Sequence, residues 1–301
     1  SDISRGSVGK ESAMLSGLFT TLATLSGVPT QSFDALFSPP PLLPLKGRCA
    51  LVTGASSGIG RATACALARE GVDLVLIARR KERLLEIKAE IERRELPCKV
   101  TVIAGDVTSD SLYEELRQSG CLENVDTLVN NAGLARGVSQ VGDARVEDWK
   151  EMIDANCYGA FRMVNEVLPY MLARKRGHVI SLGSIAGLEP YEGGSVYVAT
   201  KSAMHSFCKA LRYETYSSNI RSTIVAPGLV GEGTEFSEVR LRDGKKAGAV
   251  YDGMAELKAT DVANSIIWAL QQPPHVNVDM LHVMPTCQGG SGRIYRTETS
   301  A

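Results

Sequence analysis

The sequence lacks an excess of charge of either sign and lacks any C-x-x-C pair of cysteines. Its 33 basic and 34 acidic residues leave a net charge of -1, so we expect neither a nucleic acid nor an anionic membrane as a partner. The seven cysteines are scattered. An odd number without metal-ligand spacing indicates reduced thiols in a reducing compartment, and no metal site. We therefore predict a cytoplasmic protein.

The chain has an uncharged stretch, residues 12–33, that resembles a membrane span only in length. About half of it is Ser, Thr, Gly, Gln or Pro, a poor composition for a helix in hydrocarbon. Its apolar residues fall near helical spacing and define one face, which predicts a short amphipathic helix docked on the body or on a neighbouring subunit. An organellar targeting segment is the alternative, because residues 1–45 have few acids and many hydroxyl side chains.

Proline residues separate this region from the rest of the chain. The stretch Pro39 to Pro44 is typical of a stiff, extended linker. We predict an N-terminal extension over residues 1–45, a single catalytic domain over 46–290 and a tail over 291–301.

Apolar runs and helical patterns alternate after the linker. The predicted strands are 48–53, 73–78, 99–105, 126–130, 178–183, 220–226 and 280–284, and the predicted helices are 59–70, 81–95, 109–119, 146–174, 194–218 and 260–271. Most of the strands are continuously apolar, which indicates a parallel sheet covered on both faces. The pattern predicts an α/β fold, a doubly wound parallel sheet of the Rossmann type. Ligands of such sheets bind beyond the carboxyl ends of the strands.

The first predicted strand runs into the sequence TGASSGIG, Thr53 to Gly60. Glycine permits a tight turn there and a close approach of the backbone to a pyrophosphate, whose charge meets the helix N-terminus. Turns of every kind attract glycine, so it is the place after the first strand of a βαβ unit that predicts a dinucleotide site. The predicted cofactor contacts in this turn are Gly54, Ser56, Ser57, Gly58, Ile59 and Gly60.

The end of the second strand predicts which dinucleotide binds. A site that grips the adenosine ribose hydroxyls usually has an acidic residue at this place, whereas this chain has Ala78 followed by Arg79 and Arg80. Guanidinium groups favour a 2′-phosphate through charge-assisted hydrogen bonds. The alternative is a pair of solvent-facing charges at a helix start. We predict NADP(H) in preference to NAD(H).

Five features in one order make the chain resemble the short-chain dehydrogenase/reductase family. They are TGASSGIG, the NNAG of residues 130–133, Asn156, Ser184, and Tyr197 spaced four residues from Lys201. The resemblance covers roughly residues 46–290 and implies a one-domain Rossmann fold in a homotetramer or dimer. It also implies cofactor contacts: Asp106 and Val107 at the adenine, Asn131, Ala132 and Gly133 at the adenosine ribose, Pro227 and Gly228 at the nicotinamide, and Thr234 at the carboxamide or diphosphate.

The same resemblance implies a catalytic tetrad of Asn156, Ser184, Tyr197 and Lys201. A free tyrosine titrates near pH ~10, too high for a good base at neutral pH. The Lys201 ammonium, one helical turn away, is expected to depress the pKa of the phenol and to hold the nicotinamide ribose. Ser184 is expected to donate a hydrogen bond to the substrate oxygen, and Asn156 to hold a water that links Lys201 to solvent.

Two stretches, EPYEGGSVYVATK and PGLVGEGTEFSEVR, resemble NADP-dependent 3-hydroxy-acid dehydrogenases, a subgroup that acts on serine, allo-threonine and related acids. A substrate carboxylate requires a cation, and arginine can engage it with two hydrogen bonds. Arg240 is the first candidate and Arg136 the second. Residues 231–255 show no sustained apolar period and are interpreted as a lid over the substrate, with an ungated surface loop as the alternative.

Three functions remain open at this point. The leading hypothesis is an NADP(H)-dependent oxidoreductase that transfers hydride to or from a small 3-hydroxy acid, of the serine, allo-threonine or 3-hydroxypropionate type, or its oxo partner. A broad-specificity carbonyl or pteridine reductase is the second. The third is a non-catalytic NADP-binding regulatory protein, which the complete tetrad argues against, because a protein that only binds needs no such set.

Overall fold

The computed structural model of the chain describes Phe37 and residues 42–297. The predicted amphipathic helix, the targeting segment and most of the proline linker lie outside the described residues. All strands and helices given below belong to the unit Leu43–Ala301. The domain boundaries drawn from the sequence stay predictions.

Seven strands form one parallel sheet in the order β3-β2-β1-β4-β5-β6-β7. They are β1 (Cys49–Thr53), β2 (Asp73–Ala78), β3 (Val100–Ala104), β4 (Thr127–Asn130), β5 (Gly177–Leu182), β6 (Ile220–Pro227) and β7 (Met280–Val283). On β1, Ala50 and Val52 pack into one hydrophobic core and Leu51 into the other. Because both faces are covered, the strand is apolar from Cys49 to Val52. The predicted doubly wound sheet is confirmed.

Helices cover both faces of the sheet. They are α1 (Gly58–Arg69), α2 (Lys81–Arg93), α3 (Asp110–Gln118), α4 (Val146–Ile153), α5 (Ala160–Arg174), α6 (Ser195–Thr215), α7 (Phe236–Leu241), α8 (Gly244–Ala249) and α9 (Ala259–Leu270). The core on one face takes its buried side chains from α1, α2 and α9. The core on the other face takes them from α3, α5 and α6.

The chain reverses its direction of winding between β1 and β4. Strand β1 pairs with β2 on one side and with β4 on the other, so the connections that follow β1 and β4 diverge from neighbouring strand ends. In doubly wound sheets this divergence opens the crevice in which ligands bind. The glycine turn and the NNAG sequence stand on its two sides.

Three local features differ from the sequence expectation. The helix predicted over 146–174 is interrupted between α4 and α5 by a π-helical segment, Asp154–Gly159. The predicted lid, 231–255, contains the short helices α7 and α8. The predicted tail begins inside an antiparallel hairpin of β8 (Gln288–Gly290) and β9 (Arg293–Ile294). Elements this short depend on contacts with distant residues rather than on their own periodicity.

Tyr113 of α3 offers a test of the packing between this helix and the loop after β3. Its side chain is fully buried, and its hydroxyl donates to the Val107 carbonyl at 2.7 Å. Tyr113→Phe leaves that carbonyl without this donor, so we expect the free energy of unfolding in urea to fall by about 1–2 kcal/mol. Tyr213→Phe, at a side chain 66% exposed, is the control and should change nothing. Equal stability of the two variants would contradict the assignment.

Candidate active site

The glycine turn after β1 is fastened to the turn after β4. The Thr53 hydroxyl accepts hydrogen bonds from the backbone N–H groups of Asn131 (3.0 Å) and Ala132 (2.9 Å). The Asn131 amide donates back to the Thr53 carbonyl at 2.9 Å. These bonds fix the crevice between the two turns, and residues from both turns line one cavity of about 810 Å³.

Each of the three positions in the turn requires glycine for its own structural reason. Gly54 and Gly58 have positive φ angles, +65° and +59°, which glycine adopts without strain. Gly60 does not line the cavity. A Cβ at Gly60 would lie 2.4 Å from the Gly54 carbonyl oxygen, so this glycine allows α1 to pack closely behind the turn. Gly54, Ser56, Ser57, Gly58 and Ile59 do line the cavity, and their contacts with a cofactor stay predictions.

The two arginines after β2 lie at one end of the cavity. Arg80 donates to the Ser56 hydroxyl (3.2 Å) and the Ser57 hydroxyl (3.0 Å) of the glycine turn. Arg79 is more exposed and lies 3.7 Å from the Asp106 carboxylate. Cations and hydroxyl donors therefore lie together beside the glycine turn, an arrangement that suits the binding of an anion.

The predicted catalytic side chains converge further along the same cavity. Ser184, directly after β5, and Tyr197 and Lys201, on α6, all line it and are buried. The Ser184 hydroxyl accepts a hydrogen bond from the Ala186 N–H at 3.1 Å, which leaves its own hydrogen for another partner. A phenol, a hydroxyl and an amine thus share one buried site.

Asn156 stands apart from the other three. It lies in the π-helical segment and is not among the residues that line the cavity. Its amide exchanges two hydrogen bonds with the backbone of Leu134, both 2.8 Å, and donates to the Thr200 hydroxyl at 3.1 Å. The side chain therefore ties α6 to the loop after β4. Its predicted water-holding role stays a prediction.

Burial dominates the acid–base properties of Tyr197 and Lys201. Removal from water raises the pKa of the Tyr197 phenol, and the Ser184 hydroxyl and the Arg240 charge only partly offset this. Burial lowers the pKa of Lys201 to about 8. The Lys201 ammonium donates to the Leu182 carbonyl at 2.7 Å and lies 5.8 Å from the centroid of the Tyr197 ring. The expected net depression of the phenol pKa is thus not observed, because desolvation outweighs the surrounding charges.

The loop after β6 forms another wall of the cavity. Pro227, Gly228 and Thr234 line it, as do Asp106, Val107, Asn131, Ala132 and Gly133 at the other predicted contacts. Thr234 lies over the glycine turn, since a Cβ at Gly58 would be 3.7 Å from its side chain. This placement fits the diphosphate rather than the carboxamide among its two predicted contacts.

The two candidate carboxylate ligands occupy different places. Arg240 on α7 lines the cavity, and its guanidinium carbon lies 6.0 Å from the centroid of the Tyr197 ring. Arg136 does not line it. Its guanidinium pairs with both carboxylate oxygens of Glu151 (2.6 and 2.7 Å) and donates to the Val239 carbonyl. The donors of Arg136 thus hold α4 and α7 together, which favours Arg240 over Arg136 as the carboxylate ligand.

A family model described as short chain dehydrogenase matches residues 48–243. The chain belongs to this family. NADP-dependent 3-hydroxy acid dehydrogenase YdfG of Escherichia coli (strain K12) is 41% identical over 245 residues, which cover 80% of this chain and 96% of the relative. The NADP-dependent 3-hydroxy acid dehydrogenase of Schizosaccharomyces pombe is 41% identical over 261 residues, 84% of this chain and 98% of that one.

Solved structures agree with this family assignment. The closed form of serine dehydrogenase complexed with NADP⁺ is 38% identical and has a TM-score of 0.75, covering 83% of this chain and all of that one. Serine dehydrogenase from Escherichia coli is 36% identical, with a TM-score of 0.67, covering 80% and 99%. The predicted family, its oxidoreductase class and the resemblance to the 3-hydroxy-acid subgroup are confirmed. In residues 42–297, no helix is both long and apolar enough to cross a membrane.

Two functional side chains of this short-chain dehydrogenase escaped the sequence analysis. Gln288 is buried, accepts a hydrogen bond from the Leu229 N–H at 2.8 Å and so supports the turn at Gly228. Glu235, at the start of α7, pairs with Arg80 at 2.8 Å. No local pattern marks either residue, since each is defined by a partner far away in sequence.

The buried amine of Lys201 predicts a pH dependence of stability. An unfolded lysine keeps its proton up to about pH 10.4, whereas the folded protein loses it near pH 8. From about pH 8 upward the unfolded chain binds more protons, so stability rises with pH. The free energy of unfolding of the wild type minus that of Lys201→Met should therefore rise between pH 8 and 9.5, by at most about 1.4 kcal/mol per pH unit. Urea titrations at several pH values measure this difference.

Lys209→Met, at an exposed position on the same helix, is the matched control for this comparison. Its stability difference from the wild type should not vary across the same pH window. A flat difference for Lys201→Met as well would show that the buried amine keeps its proton.

Proposed function

We propose that this short-chain dehydrogenase uses NADP(H) to interconvert a small 3-hydroxy acid and its oxo partner, with Tyr197 as the general acid and base. The supporting observation is that Tyr197, Ser184 and Arg240 line one cavity with the glycine turn. The arginines and serines at the other end support the choice of NADP over NAD. The relatives named above carry the same cofactor in their names.

The residues of the cavity fit such a cofactor. Glycines at the turn leave room for a pyrophosphate, Arg80 with Ser56 and Ser57 suits a 2′-phosphate, and Lys201 suits ribose hydroxyls. The bound cofactor supplies or accepts the hydride. The protein has to orient the substrate carbon, exclude water and move one proton at the substrate oxygen.

Tyr197 performs the proton transfer in this proposal. In reduction its phenol gives a proton to the substrate oxygen as the carbon receives hydride, and in oxidation the phenolate takes that proton back. Burial keeps the phenol protonated at neutral pH, which is the state that reduction requires. Ser184 donates a hydrogen bond to the same oxygen and stabilises the charge that develops there. Oxidation therefore requires a higher pH than reduction.

The charges of the cavity favour a substrate with a carboxylate and no ammonium group. The Nε of Arg240 donates to the Gly137 carbonyl at 3.0 Å, and its terminal nitrogens have no hydrogen-bond partner among residues 42–297. The only acids that line the cavity within that range are Asp106 and Glu235, and both lie at the arginine end near the glycine turn. An ammonium beside Arg240 would be repelled and unpaired. We therefore rank 3-hydroxypropionate and 3-hydroxyisobutyrate above serine and allo-threonine.

The assembly and location predicted from the sequence form part of this proposal. We expect a homotetramer or a dimer in the cytoplasm, with an organellar location as the alternative. Size-exclusion chromatography with light scattering measures the assembly directly.

Tyr197→Phe tests the assignment of the acid and base. The variant keeps the ring but loses the proton, so kcat should fall by about 100- to 10,000-fold. Binding of NADPH, followed by its fluorescence, should stay within about twofold of the wild type, because the ring still fills its place. Tyr216→Phe, at an exposed side chain of the chain segment after α6, is the control. Undiminished turnover in Tyr197→Phe would contradict the mechanism.

Arg240→Met tests the carboxylate site. Loss of two charged hydrogen bonds should raise KM for 3-hydroxypropionate by about 10- to 100-fold and leave neutral alcohols unaffected. Lys245→Met removes an exposed lid cation that does not line the cavity and should not change KM. Steady-state rates with serine, allo-threonine, 3-hydroxypropionate, 3-hydroxyisobutyrate and neutral alcohols complete the comparison.

The same panel separates the proposal from its alternatives. Higher kcat/KM for neutral carbonyls or pteridines than for any acid would indicate a broad reductase. No turnover of any substrate with intact NADPH binding would indicate a regulatory protein. A preference for serine over 3-hydroxypropionate would contradict the ranking drawn from the charges.

A further inference from the structure

Glu235 joins the start of α7 to the arginine end of the cavity. One carboxylate oxygen lies 2.8 Å from Nη2 of Arg80, and the other lies 2.5 Å from Nη1 of Arg83. Arg80 and Glu235 line the cavity, whereas Arg83 does not. The carboxylate therefore bridges a cation inside the cavity and a cation outside it.

Arg80 has more acceptors than donors on one nitrogen. Its Nη2 carries two hydrogens, yet three acceptors surround it: Glu235 at 2.8 Å, Ser57 at 3.0 Å and Ser56 at 3.2 Å. The serine hydroxyls can turn and donate to an incoming anion. The Glu235 carboxylate can only accept, so it repels an anion and competes with it for the same donors.

Glu235 is ionised under all ordinary conditions. The hydrogen bond from Arg80 is the largest of the effects that lower its pKa to about 2. Protonation therefore does not remove the negative charge of Glu235 near neutral pH. An anion has to displace it from Arg80 or bind beside its charge.

The helix that begins after Glu235 reaches the catalytic residues. Phe236 and Arg240 of α7 both line the cavity. The Phe236 ring lies 5.7 Å from the Tyr197 ring, and the Arg240 guanidinium lies 6.0 Å from it. Glu235, Phe236 and Arg240 thus belong to one six-residue helix and its N-cap, which joins the arginine end of the cavity to the substrate end.

We propose that Glu235 is an internal competitor for the 2′-phosphate of NADP at Arg80, and that this competition couples the position of α7 to cofactor binding. The inference rests on the NADP part of the proposed function. The 2′-phosphate takes over the Arg80 donors, and the carboxylate stays paired with Arg83 outside the cavity. NAD, which lacks this phosphate, leaves Glu235 on Arg80.

Binding of two nucleotides to the full chain tests the competition. Adenosine 2′,5′-bisphosphate carries the 2′-phosphate and adenosine 5′-monophosphate does not. Glu235→Gln keeps the shape and an acceptor oxygen but removes the charge, so the Kd of the bisphosphate should fall about three- to tenfold, and less at 1 M salt. The Kd of the monophosphate should not change. Calorimetry measures all four constants.

Matched variants connect the effect to the two arginines. Glu238→Gln, on the exposed side of the same helix, should leave both constants unchanged. In an Arg80→Met background, Glu235→Gln should no longer tighten bisphosphate binding. Arg83→Met should weaken it, and more in the presence of Glu235 than in its absence, because the carboxylate then has Arg80 alone.

Amide hydrogen exchange of Phe236–Leu241, read by mass spectrometry, tests the coupling to α7. The bisphosphate should speed exchange there in the wild type but not in Arg80→Met. Unchanged exchange in the wild type would overturn the coupling.

Weaker bisphosphate binding by Glu235→Gln would overturn the competition and make Glu235 a residue that positions Arg80. Equal tightening of both nucleotides would overturn it too, since the effect would not involve the 2′-phosphate. If the wild type does not prefer the bisphosphate over the monophosphate, the NADP assignment itself fails, and the inference with it. A preference that Glu235→Gln leaves unchanged overturns this inference alone.

Discussion

The hydrogen bonds between Thr53 and the turn at Asn131 are the contact on which the rest of the site depends. They join the two loops that diverge from neighbouring strands at the point where the winding reverses. A gap at this place is a consequence of the topology. Its width follows from these bonds and from Gly60, which lets α1 approach the turn without a side chain between them. The same few hydrogen bonds therefore fix the glycine turn relative to the predicted ribose contacts.

The catalytic side chains depend on a second tie, between the loop after β4 and α6. Asn156 makes this tie through the Leu134 backbone and Thr200. Its π-helical setting provides one extra residue per turn locally, which turns the amide inward. With the helix held there, Tyr197 and Lys201 are buried together. Burial favours the neutral forms of each, which explains why the phenol pKa rises despite a nearby amine.

The sequence analysis succeeded where local pattern and topology coincide. Apolar runs predicted all seven strands of the sheet, and they are most continuous in the central strands, where both faces are covered. The glycine turn could be recognised because its residues are consecutive in the sequence. The Tyr197–Lys201 pair could be recognised because the two residues lie one helical turn apart. The analysis failed where a side chain acts through a distant partner. Glu235 meets Arg80 and Gln288 meets Leu229 only in the folded chain, and the same is true of Arg136 and Glu151.

The contacts of Arg136 also show how the C-terminal end of α7 is held. Its guanidinium donates to the Val239 carbonyl, while Gly137 exchanges two hydrogen bonds with Arg240, at 2.9 and 3.0 Å. The C-terminal end of α7 is thus docked on the loop after β4, which also carries the predicted ribose contacts. At its other end α7 is held by ion pairs of Glu235 with partly exposed arginines, a kind of contact that is weak and sensitive to salt. In the proposed competition, the ionic end of α7 is the one expected to move, because the other end is held by backbone hydrogen bonds. Arg240 is then expected to keep its place near Tyr197.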